Sequence, residues 1–493
     1  VDHWNEPEET LDPQDWDAMK ALGHQMVDDM FDYLRTVRER PAWQPVPDKV
    51  KNHLNAAAPR LGQDPTAIYE EFTENILPYP MGNIHPRFWG WVMGTGTPLG
   101  MLAEMLAAGM NPNMAGGDHA GNLVEEEVLN WIKEMLGFPK EASGLLVSGG
   151  SMANLVGLTV ARAHQAGYDI RAEGLQTGRP QMVLYGSVEM HSSLQKAVEL
   201  LGLGSRSLRK IAVNADYQID LPALREAIRQ DRAAGLQPFC VVGNAGTVNT
   251  GALDDLQALG EICRAEGLWF HVDGAIGAAA RMSPDLQKLV AGIDQADSLG
   301  IDLHKWLYMP FEAGCVLVRS ASAHRGAFSL TPEYLAHSLR GLSGGSQWFS
   351  DYGVQLSRGF RALKVWMSLK EHGLDKYGRM VRQNVRQAAY LVELVKSAPE
   401  LELLAPAPLN IVCFRFRAEG YDEAGLNRLN QEILFRLQES GIAAPSSTIL
   451  TGKFALRTAI TNHRSRREDF VMMTSAVIRL GRELAQAGFG REG

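Results

Sequence analysis

Gly144-Leu-Leu-Val-Ser-Gly-Gly-Ser-Met-Ala-Asn154 runs from a short apolar segment through a turn of small residues into Leu155 to His164, whose pattern is helical. A strand that feeds a helix in this way is the repeating unit of mainly parallel sheets. The turn also places free backbone N–H groups and the Ser151 hydroxyl at the positive end of a helix, where phosphate binds, and Gly150 lets the backbone approach closely. The spacing is neither GxGxxG nor GxxxxGKS/T, so nucleotide binding by those routes is not supported. Taken alone, the stretch is explained as well by a tight turn with no ligand.

Downstream the same alternation repeats. Met182 to Tyr185, Phe239 to Val242, Leu268 to Ala275 and Val316 to Val318 read as strands, with a helix from Leu194 to Leu201 among them. The pattern predicts a mainly parallel sheet covered on both faces, and in such sheets ligands sit beyond the carboxyl ends of the strands. His191, Thr247, Asp273 and Lys305 all fall at or just beyond such ends although they are far apart in the chain.

Each of these has an ordinary reading and a chemical one. Lys305 closes the largely apolar Ser298-Leu-Gly-Ile-Asp-Leu-His-Lys-Trp-Leu307, whose surroundings are expected to bury its ammonium and make it a nucleophile toward carbonyl carbon. A lone lysine is more often a surface residue. Asp273 sits among Val272, Gly274, Ala275 and Ile276, where a carboxylate that is more than a cap or turn residue needs a cationic partner, such as a protonated pyridine nitrogen. His191 is flat enough to stack on the same ring, or is a satisfied core histidine.

Composition limits the alternatives. The chain has 493 residues, 45% of them hydrophobic, which suggests two or three globular domains. Lys plus Arg number 48 against 57 Asp plus Glu, and the net charge of −9 argues against nucleic acid or a membrane surface as partner. Cys240, Cys263, Cys315 and Cys413 show neither zinc nor disulfide spacing, and the histidines have no partner at metal-ligand spacing, so no metal is assigned. A reducing cytoplasm is the expected location. Val1-Asp-His-Trp-Asn5 is not a basic segment followed by an apolar one, and no run approaches the ~20 apolar residues that span a bilayer.

Upstream, an amphipathic helix beginning near Asp15 and the proline arm Arg40-Pro-Ala-Trp-Gln-Pro-Val-Pro47 cannot bury themselves, so they are expected to lie on another domain or subunit. Residues 66–76 read as a short helix. In His85-Pro-Arg-Phe-Trp-Gly-Trp-Val-Met93 the aromatic residues are either core or, for Trp91 and Met93, the walls of a pocket for an apolar side chain. Downstream, Phe360 to His372 and Tyr377 to Val395 read as helices, and Leu401 to Phe416 and Phe454 to Thr461 as strand-like segments of a small α+β domain.

Ser148-Gly-Gly-Ser-Met-Ala-Asn154, Met190-His-Ser-Ser193, His271-Val-Asp-Gly-Ala275 and Asp302-Leu-His-Lys-Trp306, in this order, resemble the pyridoxal-phosphate-dependent group II amino-acid decarboxylases, which include the aromatic-L-amino-acid decarboxylases. The resemblance implies an α/β protein of the type I (aspartate aminotransferase-like) fold. Its parts are an N-terminal helical arm over residues 1–84, a large domain with a mainly parallel seven-stranded sheet over 85–374, and a small C-terminal α+β domain over 375–493. It implies pyridoxal 5'-phosphate as cofactor, bound covalently by Lys305, with Asp273 on the pyridine nitrogen, His191 stacked on the ring and Ala275 on its other face. Gly150, Ser151 and His304 would hold the phosphate, and Thr247 would lie near the ring or the substrate carboxylate. A homodimer with sites at its interface is implied too, with the loop Asn111-Pro-Asn-Met-Ala115, and so Asn113, reaching a neighbouring subunit's substrate.

Ala327 to Ser338 continues into Gly341-Leu-Ser-Gly-Gly345, which reads as a hinged loop able to close over a site, and Tyr334 matches the loop tyrosine that the family uses as proton donor. Aldehyde-forming relatives replace this tyrosine or the stacking histidine. Both are retained here, which favours decarboxylation of an amino acid to an amine over aldehyde synthesis or other lyase chemistry; a non-catalytic binding protein on this fold is the remaining alternative. Asp302 stands where an asparagine is often found near the phosphate, and Ile276 where an aromatic residue is common. Phe88, Trp89, Trp91 and Met93 favour an aromatic or large apolar substrate; an acidic one would need a further cation, for which Arg87 is the candidate in that stretch.

Overall fold

The computed structural model describes residues 9–176, 178–330, 340–345 and 347–491. Its strands are β1 (Phe88–Trp89), β2 (Ser143–Val147), β3 (Met182–Ser187), β4 (Leu208–Ile211), β5 (Gln237–Asn244), β6 (Trp269–Asp273), β7 (Ser298–Asp302), β8 (Gly314–Val318), β9 (Leu401–Leu403), β10 (Ile411–Phe416), β11 (Ala444–Leu450) and β12 (Lys453–Ala459). Seven form one sheet in the order β2-β8-β7-β6-β5-β3-β4, in which β8 alone runs against the others. Every residue of β2, β3, β6, β7 and β8 is buried. That is why they read as continuous apolar runs rather than alternating ones: helices cover both faces.

Register brings the carboxyl ends together. Asn244 at the end of β5 lies beside Asp273 at the end of β6, and Asp273 lies beside Gly300 in β7. Antiparallel β8 begins at this same edge, and a Cβ on its Gly314 would stand 2.6 Å from Gly149 Cα, so the turn after β2 can pass only over a glycine. The helix Gly150–Gln165 then packs back across β6, β7 and β8.

The second sheet has the order β1-β11-β12-β10-β9. Its strand β1 comes from the early aromatic stretch and pairs in parallel with β11, Phe88 beside Ala444 and Trp89 beside Pro445. Trp89 is therefore core: it stacks on Phe470 at 4.8 Å and donates its indole N–H to Ser465 Oγ at 3.1 Å. The long helix Arg361–Ser397 packs on helices Pro98–Met110 and Ala120–Leu136 and on strands β9 and β10, and breaks at Gly373, whose φ of 70° and ψ of 153° are not helical. The Leu401 to Phe416 segment divides into β9 and β10 around Pro406 and Pro408.

Near the N-terminus, Asp15 caps the helix Trp16–Arg35 by accepting the Ala18 N–H, and only Leu22 of that helix is buried. Among the described residues Trp16, Met19 and Phe31 of this helix remain exposed. Among the described residues no helix is long and apolar enough to cross a membrane, and no cluster of His, Cys, Asp and Glu is arranged to hold a metal.

Candidate active site

A cleft of about 600 Å³ opens where β2, β3, β5, β6 and β7 end. Gly150, Ser151, His191, Asp273, Ala275, His304 and Lys305 all line it, as does Trp91. Three of the residues expected there do not. Thr247 is buried in the turn after β5, its hydroxyl 3.2 Å from that of Thr250 and accepting the Ala252 N–H at 3.1 Å, while its neighbours Gly246 and Val248 form the wall. Met93 packs beside Ala42, Phe88 and Ala444, and its carbonyl accepts from Thr461. Asn113 accepts the backbone N–H groups of Ala115 and Arg358 and so shapes its own loop. Tyr334 lies outside the described residues.

Lys305 does not sit in a purely apolar setting. Its Nζ is 2.7 Å from Asp302 Oδ2, a carboxylate that is 3% exposed, so its ammonium has a partner. Asp302 Oδ1 accepts the Gly150 N–H at 2.5 Å and is 3.6 Å from His304 Nε2. His304 Nδ1 in turn accepts the Ala313 N–H, and burial holds its pKa below the ordinary histidine value, against the pull of Asp302. The Asp302 side chain thus touches the helix start, the lysine and the histidine at once.

Asp273 is held by a relay that runs behind the cleft. The Asn154 amide donates to Asp273 Oδ2 at 2.9 Å and lies 3.2 Å from Ser193 Oγ, while its Oδ1 is 3.0 Å from His271 Nε2. The network assigns the proton to Nε2, because the Asn154 amide group already faces two acceptors. His271 Nδ1 meets Ser298 Oγ, which also accepts the Trp269 indole N–H. Complete burial lowers the His271 pKa to about 4, so the relay is neutral up to the Asp273 carboxylate. The Ala275 N–H bonds the other oxygen, Oδ1.

His191 caps the helix Ser192–Leu200: its Nδ1 accepts the Ser193 N–H at 3.2 Å and lies 2.8 Å from Ser193 Oγ, leaving Nε2 as the protonated nitrogen. Burial lowers its pKa, opposed by Asp273. Ser193 therefore ties His191 to Asn154, and through it to Asp273.

Arg457 on β12 also reaches the cleft, but its guanidinium is consumed by the chain. It donates to the carbonyls of Asn249, Trp91 and Val248 and to Ser446 Oγ, and burial lowers its pKa to about 10. The backbone at Trp91 is left-handed, φ 50°, and its side chain is 57% exposed. Arg87 is turned away, donating to the Ile442 carbonyl. Arg358 is buried against Glu125 and Arg361 pairs with Glu312 at 2.7 Å, so neither is a loose anchor for a loop.

These residues fit pyridoxal phosphate. A Cβ on Gly150 would meet Asp302 Oδ2 at 2.7 Å and one on Gly149 would meet His304 Cε1 at 3.0 Å, so the two glycines keep open a pocket at a helix N-terminus that any larger residue would fill. A carboxylate for a ring nitrogen, a flat imidazole and a primary amine face the same space. The pyridoxal-dependent decarboxylase conserved domain matches residues 47–417, well over half of the chain. The chain belongs to that family. It is similar to an aromatic-L-amino-acid decarboxylase of Bacillus atrophaeus, 34% identical over 95% of this chain and 96% of the relative. A phenylacetaldehyde synthase of Arabidopsis thaliana is 30% identical over 91% of this chain and 93% of its own. Among solved structures, the Oryza sativa TDC with PLP and tryptamine superposes with a TM-score of 0.89 at 26% identity, over 96% of this chain and all of that one. This decarboxylase has the type I fold and is a pyridoxal-phosphate-dependent carboxy-lyase acting on an amino acid.

Asn154, Ser193, Arg457 and the Ser446-Ser447 rim were not singled out as site residues from the sequence. For Asn154 a signal existed: it ends the small-residue turn, one helical turn inside Gly150, and so faces the strand ends. Arg457 carried none, since only the fold brings β12 to the cleft.

Proposed function

We propose that the substrate of this decarboxylase is an aromatic or large apolar L-amino acid and the product its amine. The observation that carries the proposal is the character of the cleft wall: Trp91, Val92, Ile276 and Phe311 line it, and Arg457, the one arginine among its described lining residues, is already bound by three carbonyls and a serine. Among the described residues an acidic side chain finds no unengaged guanidinium there. Relatives named for aromatic amino acids support the same reading.

Bound pyridoxal phosphate supplies the electron sink for the pair left at Cα when CO₂ departs. The remaining roles are assigned to this chain's residues. Lys305 holds the cofactor and yields to substrate. Asp273, fixed by Asn154 and the Ala275 N–H, keeps a proton on the ring nitrogen. His191 stacks on the ring, with Ala275 opposite. Gly150, Ser151 and His304 hold the phosphate, and Tyr334 delivers a proton to Cα. Thr247 acts through the turn it shapes rather than by contact.

A homodimer is part of the proposal, because the exposed stripe of helix Trp16–Arg35 and the exposed Met105, Leu106 and Met110 need cover, and Asn113 then serves a neighbouring subunit. A reducing, cytoplasmic setting suits four free, buried cysteines. A panel of amino acids assayed for CO₂, amine and hydrogen peroxide tests the reading. Aromatic amino acids giving amine and CO₂ in equal amounts are expected. Aldehyde with peroxide would move the chain to the oxidative branch, and turnover of glutamate or aspartate alone would overturn the substrate class.

A further inference from the structure

A hollow of about 650 Å³ lies between helix Arg361–Ser397 and the start of helix Arg467–Gln486. Lys376, Arg379, Gln383 and Arg386 recur on one helical face, and Arg382, Arg466 and Arg467 complete the rim. Among the described residues no carboxylate lines it. Three carboxylates reach rim residues from outside: Asp285 bonds Arg382 at 2.8 Å and also faces Arg386, Glu468 is 3.4 Å from Arg466, and Asp469, which pairs with Arg38 at 2.7 Å, accepts the Arg466 backbone N–H at 2.7 Å. With Arg38 counted beside Asp469, seven cations against three carboxylates leave a surplus of four positive charges at one spot of a chain whose net charge is −9. Such crowding of like charge works against folding unless an anion relieves it.

The floor is built, not loose. Gln387 is 6% exposed; it donates to the Ser465 carbonyl at 2.7 Å and accepts from Asn384 at 2.8 Å, and Asn384 also accepts from Trp306 and Tyr308, which follow Lys305. The arginines of the long helix therefore stand on a fixed base. The volume suits a small molecule. Among the described residues no aromatic ring lines the hollow, and nearby Tyr390 already carries the Arg467 guanidinium at 5.5 Å, so no stacking face is offered to a nucleobase.

We infer that this hollow binds a linear oligophosphate, gripping the phosphate chain and not any nucleoside attached to it. A triphosphate carries about four negative charges near neutral pH, which matches the surplus, and arginine forks suit phosphate oxygens. The two sources of such a group, inorganic tripolyphosphate and a nucleoside triphosphate, are separated by titrating each.

The experiment is calorimetric titration of the cofactor-loaded protein with tripolyphosphate, ATP and orthophosphate at fixed ionic strength. Saturable binding of one tripolyphosphate per chain is expected, with ATP similar and orthophosphate far weaker. Arg379→Gln with Arg386→Gln should weaken tripolyphosphate about tenfold or more. The same loss of charge on an exposed helix elsewhere, Arg225→Gln with Arg229→Gln, should change it less than about twofold. Binding that needs the base, binding equally reduced by both variant pairs, or no saturable binding would each overturn the inference.

Discussion

Asn154→Ala tests how Asp273 is held. The side chain is 1% exposed and links three groups: it donates to Asp273 at 2.9 Å, reaches Ser193 at 3.2 Å, and accepts from His271 at 3.0 Å. Alanine removes a hydrogen bond to a carboxylate, worth about 1.5–3 kcal/mol, and leaves the His271 N–H buried without a partner, at about 1–3 kcal/mol. The second loss falls on folding. The first falls on whatever Asp273 binds, because a carboxylate freed on one side turns toward new donors. The variant should therefore unfold at lower urea, by about 1–3 kcal/mol. It should also hold pyridoxal phosphate about ten-fold or more weakly, since each 1.4 kcal/mol is a factor of ten. Chemical denaturation and titration of the cofactor's visible absorbance measure the two separately. A variant that is destabilised yet binds cofactor as tightly as the parent would refute the claim that Asn154 positions Asp273.

Three further outcomes follow from the same geometry. Gly150→Ala puts a methyl 2.7 Å from Asp302 Oδ2 and 3.3 Å from Ala275 Cβ, so the protein should fold but lose cofactor on desalting, read by absorbance and circular dichroism. Asp302→Asn removes a negative charge from the cradle at Gly150 and should tighten cofactor binding about tenfold, the repulsion between like charges there being on the order of 1–3 kcal/mol; weaker binding in equilibrium dialysis would mean that the carboxylate matters more as partner of Lys305. For acid stability, burial lowers the His324 pKa to about 4 from an ordinary 6.5, so between those values the unfolded chain takes a proton that the folded state refuses. That share of stability is full above pH 6.5 and is lost as pH falls toward 4, about 3 kcal/mol in all. His324→Phe should flatten the slope of unfolding free energy against pH in this window, and an unchanged slope would contradict the assignment.

The sheet was legible because its strands are buried on both faces and so appear as unbroken apolar runs ending in small or polar residues, as in Trp269–Asp273 and Ser298–Asp302. Strand Leu208–Ile211 was not, because it lies at the edge of its sheet and carries Arg209 and Lys210. Strand Ala444–Leu450 escaped for a like reason, with Pro445, Ser446, Ser447 and Thr448 in its middle. In the cleft, residues on consecutive strand ends were readable from position alone. The partners that fix them were not: Asn154 reaches Asp273 across 119 positions, and Arg457 reaches the Trp91 carbonyl across 366. Such contacts depend on register and on how the second sheet is seated, which no local pattern encodes. The apolar setting expected for Lys305 shows the same limit, since its neighbours in sequence say nothing of the Asp302 carboxylate that the turn folds back onto it.

The central claim is that Lys305 carries the cofactor. Borohydride treatment of the loaded protein followed by peptide mass analysis tests it most directly. The account predicts one added cofactor mass on the peptide containing Lys305 and none in Lys305→Ala. Label on another lysine, or cofactor fixed covalently in Lys305→Ala, would contradict it.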